Sequence, residues 1–187
     1  MSKHEFYNIF IDMDSGGFAK APEFDIETYF SCYRQFRGKL ILDWKAIHCF
    51  IHDPILKGEP FEDYQSVIHG FRLCSQRMKD LFEKNKSPDD KIQWLDATVT
   101  WNRETRPYYI LHFYENTDVI DPVLSKWNSQ TKTCDAIPKV FIGKKIGNHN
   151  IFSYPYDTIG LTVRAFLIEE MKKQKMTGMM WKPAIVR

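Results

Sequence analysis

Residues 75–99 read SQRMKDLFEKNKSPDDKIQWLDATV, and residues 162–186 read TVRAFLIEEMKKQKMTGMMWKPAIV. In the first stretch Ser75 is placed to cap a helix whose apolar face is Cys74, Met78, Leu81 and Phe82. That i, i+4, i+7, i+8 spacing stacks side chains along one side of a 3.6-residue turn. The helix should stop near Asn85, because Ser87-Pro88-Asp89-Asp90 is turn chemistry, and a strand over 92–101 follows. The second stretch repeats the order. Thr162 is its expected cap, a helix runs through Lys175 with Phe166, Leu167 and Met171 as buried candidates, and residues 179–186 form a closing strand.

At a constant offset of 87 residues, Ser75 meets Thr162, Arg77 meets Arg164, Glu83 meets Glu170 and Lys86 meets Lys173. Further along, Trp94 meets Trp181, Ala97 meets Ala184 and Val99 meets Val186, so that six of the seven pairs are identities. Upstream the echo fails, with Ile68 against Pro155. Two readings stand: two related helix-strand units, or one packing problem solved twice. Both lead to an α+β single domain over 1–187, with a mixed or antiparallel sheet and two main helices.

Working outward, residues 6–12 (FYNIFID) form an expected strand ending in a polar turn. Residues 19–27 read as surface loop, 29–36 as strand or short helix, 39–44 (KLILDW) as strand and 47–64 as irregular. A strand is expected over 65–71. Residues 107–114 pair with 92–101 as a hairpin across the turn 102–106. A helical turn at 122–126 and short strands at 140–142 and 151–154, around the turn at Gly147-Asn148, complete the pattern.

Composition excludes several classes. Apolar residues at 43% and aromatics at 15% argue against global disorder. No apolar run approaches the ~20 residues of a membrane span or the ~7 to 15 of a signal-peptide core, so a cytoplasmic protein with no membrane partner is expected. The net charge of +2 lacks the basic excess of a nucleic-acid binder, so no nucleic acid is expected as partner. Cys32, Cys49, Cys74 and Cys134 form no C-x-x-C, and read as free thiols with at least two in the core. Charge is uneven: residues 1–63 hold seven basic and eleven acidic side chains, residues 91–187 fourteen and nine. The acidic end concentrates at Asp12, Asp14, Glu23, Asp25 and Glu27, relieved only by Lys20. Such a cluster is either a solvated face or a surface that meets something cationic.

Three constellations bear on catalysis or metal. Residues 9–16 (IFIDMDSG) look like the first motif of haloacid-dehalogenase-like phosphatases, with Asp12 as nucleophile and Asp14 handling the proton. The downstream acidic pair that would help hold Mg²⁺, Asp89-Asp90, precedes a strand instead of ending one. Asp12, Asp14, Gly17 and Glu23 also match the spacing of a calcium loop, but Gly16 and Lys20 stand where ligands belong and Pro22 resists the following helix. His48 and His52 have zinc-helix spacing with Cys49 in the general-base place, and read as ordinary histidines. No catalytic residue, metal or cofactor is expected. The basic residues Lys172, Lys173, Lys175, Lys182 and Arg187 around Trp181 are accounted for by the preference of helix C-termini for cations.

At Phe71-x-Leu73-x-Ser75, at Tyr109-x-Leu111 with Val119-Ile120-Asp121, and above all at residues 175–183 (KMTGMMWKP), the chain resembles immunity family eleven of the bacterial polymorphic toxin systems. The resemblance covers about residues 39–187 and leaves the acidic segment outside it. It implies a small protein made beside a secreted toxin, which it binds and blocks without catalysis or cofactor. A cationic cleft, as in a nuclease toxin, would suit the acidic segment. The phosphatase using Asp12 and Asp14 is the alternative.

Overall fold

The computed structural model describes residues 4–12, 16, 19–21, 38–51, 59–65, 67, 72–126, 139–154 and 160–187. The expected segment 29–36, His52, Cys32 and Cys134 lie outside the described residues.

β1 (Phe6–Ile11) forms where its β-branched and aromatic run predicts. β2 (Ala19–Lys20) pairs antiparallel with β3 (Ile47–Ile51), so the expected surface loop at 19–27 opens with a strand whose Ala19 is fully enclosed. Residues 39–44 are not a strand. Ile41 is buried, but its N–H and C=O bond the amide of Gln93 at 3.0 and 2.7 Å, so a side chain does what a neighbouring strand would have done. The strand lies instead at β3, inside the run read as irregular.

β4 (Tyr64–Gln65) and β5 (Leu73–Ser75) form an antiparallel pair, and α1 (Gln76–Asn85) leaves β5 directly. Ser75 Oγ accepts the Met78 N–H at 3.2 Å, the expected cap, and Met78, Leu81 and Phe82 are buried. Cys74 is buried as well, but on β5. The hairpin of β6 (Ile92–Trp101) and β7 (Glu104–Phe113) turns through Asn102 and Arg103 alone, at φ 45° and 74°. A two-residue turn of that kind matches the strand twist, so β7 begins three residues before the expected Pro107.

β8 (Val140–Phe141) and β9 (Ile151–Phe152) flank the short α2 (Gly143–Ile146) and do not pair with each other. β10 (Leu161–Arg164) feeds α3 (Ala165–Lys173). Thr162 is therefore not a cap. It is buried within β10 and donates to Asn8 Oδ1 at 2.7 Å, while Arg164 holds the cap position with no capping bond from its side chain, which bonds His149 O and Gly147 O instead. The cap thus falls two residues later than predicted; Leu167 and Met171 are buried as expected, joined by Ile168, while Phe166, expected inside, is 41% exposed at the border of that face. The closing strand divides at Pro183 into β11 (Met179–Pro183), antiparallel to β1, and β12 (Ile185–Val186), parallel to β8.

The α+β class holds, with mostly antiparallel sheets. Among the described residues one sheet has the order β11-β1-β10-β9, a second β2-β3-β6-β7-β5-β4, and the pair β12-β8 forms a third. Within them the same arrangement occurs twice: β9-β10-α3-β11 with β1 inserted, and β4-β5-α1-β6 with β7 inserted. Their ladders correspond residue by residue. Trp94 faces Leu111 on β7 where Trp181 faces Ile9 on β1, and Tyr64 faces Cys74 where Ile151 faces Val163. On β6 and β11 the offset is 87, but at the helices Ser75 corresponds to Arg164, a slip of two, so the helical identities of the ungapped alignment are out of structural register. Both helices pack into one core, where Met78, Leu81 and Phe82 meet Leu167, Ile168 and Met171 among residues of both sheets.

Candidate functional site

Two joints hold these units together, and they are related by the same correspondence. At one, the Asp12 N–H donates to Gly178 O and the Tyr64 N–H to Thr177 O, both at 3.1 Å. At the other, the Tyr114 N–H donates to Lys91 O at 3.1 Å and the Ile151 N–H to Asp90 Oδ2 at 3.2 Å. One backbone bond is shared, Asp12 N–H to Gly178 O and Tyr114 N–H to Lys91 O, while the other ends on the Thr177 carbonyl at the first joint and on the Asp90 side chain at the second. The side chains differ.

In the second joint Asp90 is buried and accepts from the Ser87 N–H at 2.7 Å, the Asn150 N–H at 3.1 Å and the Ile151 N–H. His149 Nδ1 lies 3.0 Å from its Oδ1. A hollow of about 10 Å³ beside it is lined by Lys91, Phe113, His149 and Ile151 among others.

At the first joint a cavity of about 730 Å³ opens. Asp63 occupies the place of Asn150 and Glu62 that of His149. Asp63, also buried, accepts from Ser75 Oγ at 2.7 Å, Arg77 Nη1 at 3.3 Å and the Thr177 N–H at 3.2 Å. The carboxylate has changed sides across the joint, from the turn to the strand. Glu62 is 4% exposed and lies where only glycine fits beside it. Gly178, at φ +84°, would place a Cβ 2.8 Å from Glu62 Cβ and inside the contact distance of Tyr64 O; Gly16, at φ +65°, would place one within the Glu62 side chain. The Thr-Gly pair at 177–178 is therefore a close-approach device between units.

The cavity is walled by Phe61, Tyr108, Met176 and Met179 and charged by Asp12, Glu59, Glu62, Asp63, Arg77 and Arg106. Arg106 lies over the Phe61 ring at 4.1 Å and bonds Glu104 at 2.7 Å. Tyr108 donates to Glu62 O at 2.7 Å, and burial, reinforced by Asp63, pushes its phenol up so that it stays a donor. Burial likewise pushes up the Cys74 thiol; Cys49 and Cys74 are both buried, in keeping with at least two thiols in the core.

Of the acidic residues singled out in the sequence, Asp12 lines this cavity, while Asp14, Glu23, Asp25 and Glu27 lie outside the described residues. Sequence reasoning missed Glu59, Glu62 and Asp63, although the run EPFED at 59–63 carries three acids in five residues. β1 is flanked by antiparallel strands on both sides, so Asp12 does not sit in the parallel sheet that the phosphatase mechanism uses. His48 stands on β3 and bonds Thr100 Oγ1 at 3.0 Å, not on a zinc-binding helix. Of the calcium-loop residues Asp12, Asp14, Gly17 and Glu23, only Asp12 is described. Among the described residues no group of three or more His, Cys, Asp or Glu side chains could hold a metal, and no helix is long and apolar enough to cross a membrane.

The model of the Immunity protein family (Imm11) matches residues 5–186. The match takes in β1 and the acidic segment, which the sequence resemblance left outside. β1 is the inserted strand of its sheet, so the fold needs it. No curated protein matches the chain.

Proposed function

We propose, from the premise that the chain belongs to the Imm11 immunity protein family, that it neutralises a cognate protein toxin by direct one-to-one binding in the cytoplasm of the producing cell. The observation that carries this reading is the family match, which runs over every described element from β1 to β12. The acidic segment, with Asp12, Asp14, Glu23, Asp25 and Glu27, faces a toxin with a cationic cleft, of which nucleases are the obvious class. Complementary charge raises the rate of encounter, and apolar anchors slow dissociation.

Co-expression with a toxin encoded beside it should protect the cell, and the purified pair should form a one-to-one complex. Reversing Asp12, Asp14 and Asp25 together to Lys should slow association and weaken its salt dependence, since exposed charges steer over ~8 to 10 Å at physiological ionic strength. Unchanged association by the folded triple variant would take the acidic segment out of the contact. Absence of binding and protection by the wild-type chain would defeat the immunity reading.

A further inference from the structure

β6 and β11 hold corresponding places in the two sheets, but their outer edges differ. β6 takes β3 alongside residues 97–100, and further back Trp44 Nε1 donates to Asp96 O at 2.9 Å while Ile41 holds the Gln93 amide. Among the described residues β11 ends its sheet, with β1 as its one partner. The register says which groups that leaves. The Asp12 N–H donates to Gly178 O and the Ala184 N–H to Phe6 O. Bonded pairs recur at every second residue of an antiparallel ladder, so Met180 and Lys182 bond β1 while Trp181 and Pro183 turn their main-chain groups outward. The outer row thus holds the Trp181 N–H and the carbonyls of Trp181 and Pro183, and none of them has a bonding partner among the described residues. Cations frame this row on both faces. On α1 Glu83 accepts the Trp94 indole N–H at 2.8 Å, but the corresponding residue of α3 is Lys172, which stands 5.7 Å from the Trp181 ring and meets only the exposed Glu169. Lys182 points to the opposite face, 5.8 Å from the Phe10 ring, with no carboxylate partner among the described residues. Met180, its neighbour but one on that face, is 39% exposed.

We propose that the β11 edge receives an extended acidic strand of the toxin, which joins the sheet through Trp181 and Pro183 and sets carboxylates beside Lys172 and Lys182. An outward row of main-chain donors and acceptors is completed by another strand, and successive side chains of that strand fall on opposite faces, where a cation meets each. Charge decides between occupants, because a second copy of this chain would crowd Lys172 and Lys182 of both along one seam. Lys182 and the missing donor at Pro183 also discourage indiscriminate strand pairing, so the edge is selective. The proposal rests on the immunity reading, and names the surface that would carry the contact.

The test follows backbone hydrogen exchange in the full chain, titrated with a blocked peptide of sequence Thr-Val-Glu-Glu-Val-Thr and, as the opposite-charge control, the same peptide with Lys-Lys at its centre. In the free chain the Met180 and Lys182 amides should exchange slowly and the Trp181 amide fast. Saturating acidic peptide should slow Trp181 at least about tenfold, and the basic peptide should not. Trp181→Pro, which removes the outward donor and no bond to β1, should weaken the acidic peptide at least about tenfold. Lys172→Gln with Lys182→Gln, both at exposed positions, should weaken it at least about threefold, and decides the matter should Trp181→Pro not fold. Lys79→Gln, which removes the cation over the Tyr109 ring in the other sheet, should leave it unchanged. Slow exchange at Trp181 in the free chain, whether from its own residues or from a second copy, would overturn the edge. So would no protection by the acidic peptide, or equal weakening by Lys79→Gln. Toxin binding should protect Trp181; a bound toxin that leaves it exchanging fast would overturn the edge as the contact while leaving immunity standing. A toxin that the wild type does not bind defeats the immunity reading, while the peptide titration still reads the edge.

Discussion

The joint at 149–151 brings an imidazole against a carboxylate, while its counterpart at 62–64 borders a cavity with two adjacent carboxylates. The two share the bond from Asp12 or Tyr114 but not the bond from Tyr64 or Ile151, which ends on a carbonyl in one and on the Asp90 side chain in the other. The side-chain acceptor Asp90 thus takes over at one joint the place that the Thr177 carbonyl holds at the other. Buried charge is tolerated where a donor meets it, and the joint at 149–151 brings three backbone amides and a ring nitrogen to Asp90. The joint at 62–64 satisfies Asp63 in a similar way, through Ser75, Arg77 and the Thr177 amide, and Asp12, Glu59 and Glu62 line the cavity beside it.

The comparison breaks most sharply at Gly178 and its counterpart Lys91. Gly178→Ala should lower stability by about 3 kcal/mol or more, because a Cβ there meets the Tyr64 carbonyl at a positive φ that side chains resist. Lys91→Ala should stay within about 0.5 kcal/mol. Denaturant titration of both decides it, and equal effects would show that the joints are not under different constraint.

A smaller effect separates the helices. Ser75→Ala should cost about 1 kcal/mol by removing the acceptor for the Met78 amide, which should then exchange faster with solvent. The amide of Leu167, three residues after Arg164 in α3, has no side-chain cap to lose and should be unaffected. Hydrogen exchange resolved at both positions checks the contrast.

The smallest effect distinguishes the inserted strands. His112 on β7 is buried and its ring nitrogen bonds Lys39 O at 2.7 Å, where β1 carries Phe10 at the corresponding position. Burial, with a contribution from Arg72, holds the imidazole below its usual range despite the bond to Lys39. The folded ring binds a proton less readily than the unfolded one. Its stabilising contribution is thus present above the unfolded value of about 6.5 and is lost as pH falls through the folded value. His112→Gln should flatten the acid side of a plot of melting temperature against pH, whereas Phe10→Leu should leave the shape unchanged.

How much was legible depends on the range of the forces. The Ser75 cap, the stop near Asn85, the FYNIFID strand and the long hairpin are local: spacing, turn residues and β-branched runs act within a few positions. The Trp-bearing strands were legible as an echo for the same reason. The helix that follows β10 was misplaced because Thr162 offered a cap that Asn8, 154 residues away, had already claimed. The strand expected at 39–44 failed likewise, since Gln93 stands in for its partner. At the site, Asp12 stood out because its acidic neighbours are close in sequence, and the Thr-Gly pair because it is an unusual turn. What Asp12 would meet could not be read from either.

The sequence by itself determined the class of the fold, the two helix-strand successions, the burial of at least two thiols, and the likeness to a family of immunity proteins, because each depends on pattern within one segment. Only the tertiary structure decided that the two units share one core, that Glu62 answers to His149, and that four acids from residues 12 and 59–63 surround one cavity. Those relations are set by strand register across separations of fifty to a hundred and seventy residues, and register is fixed by which faces must be buried together, a condition that no single stretch of the chain contains.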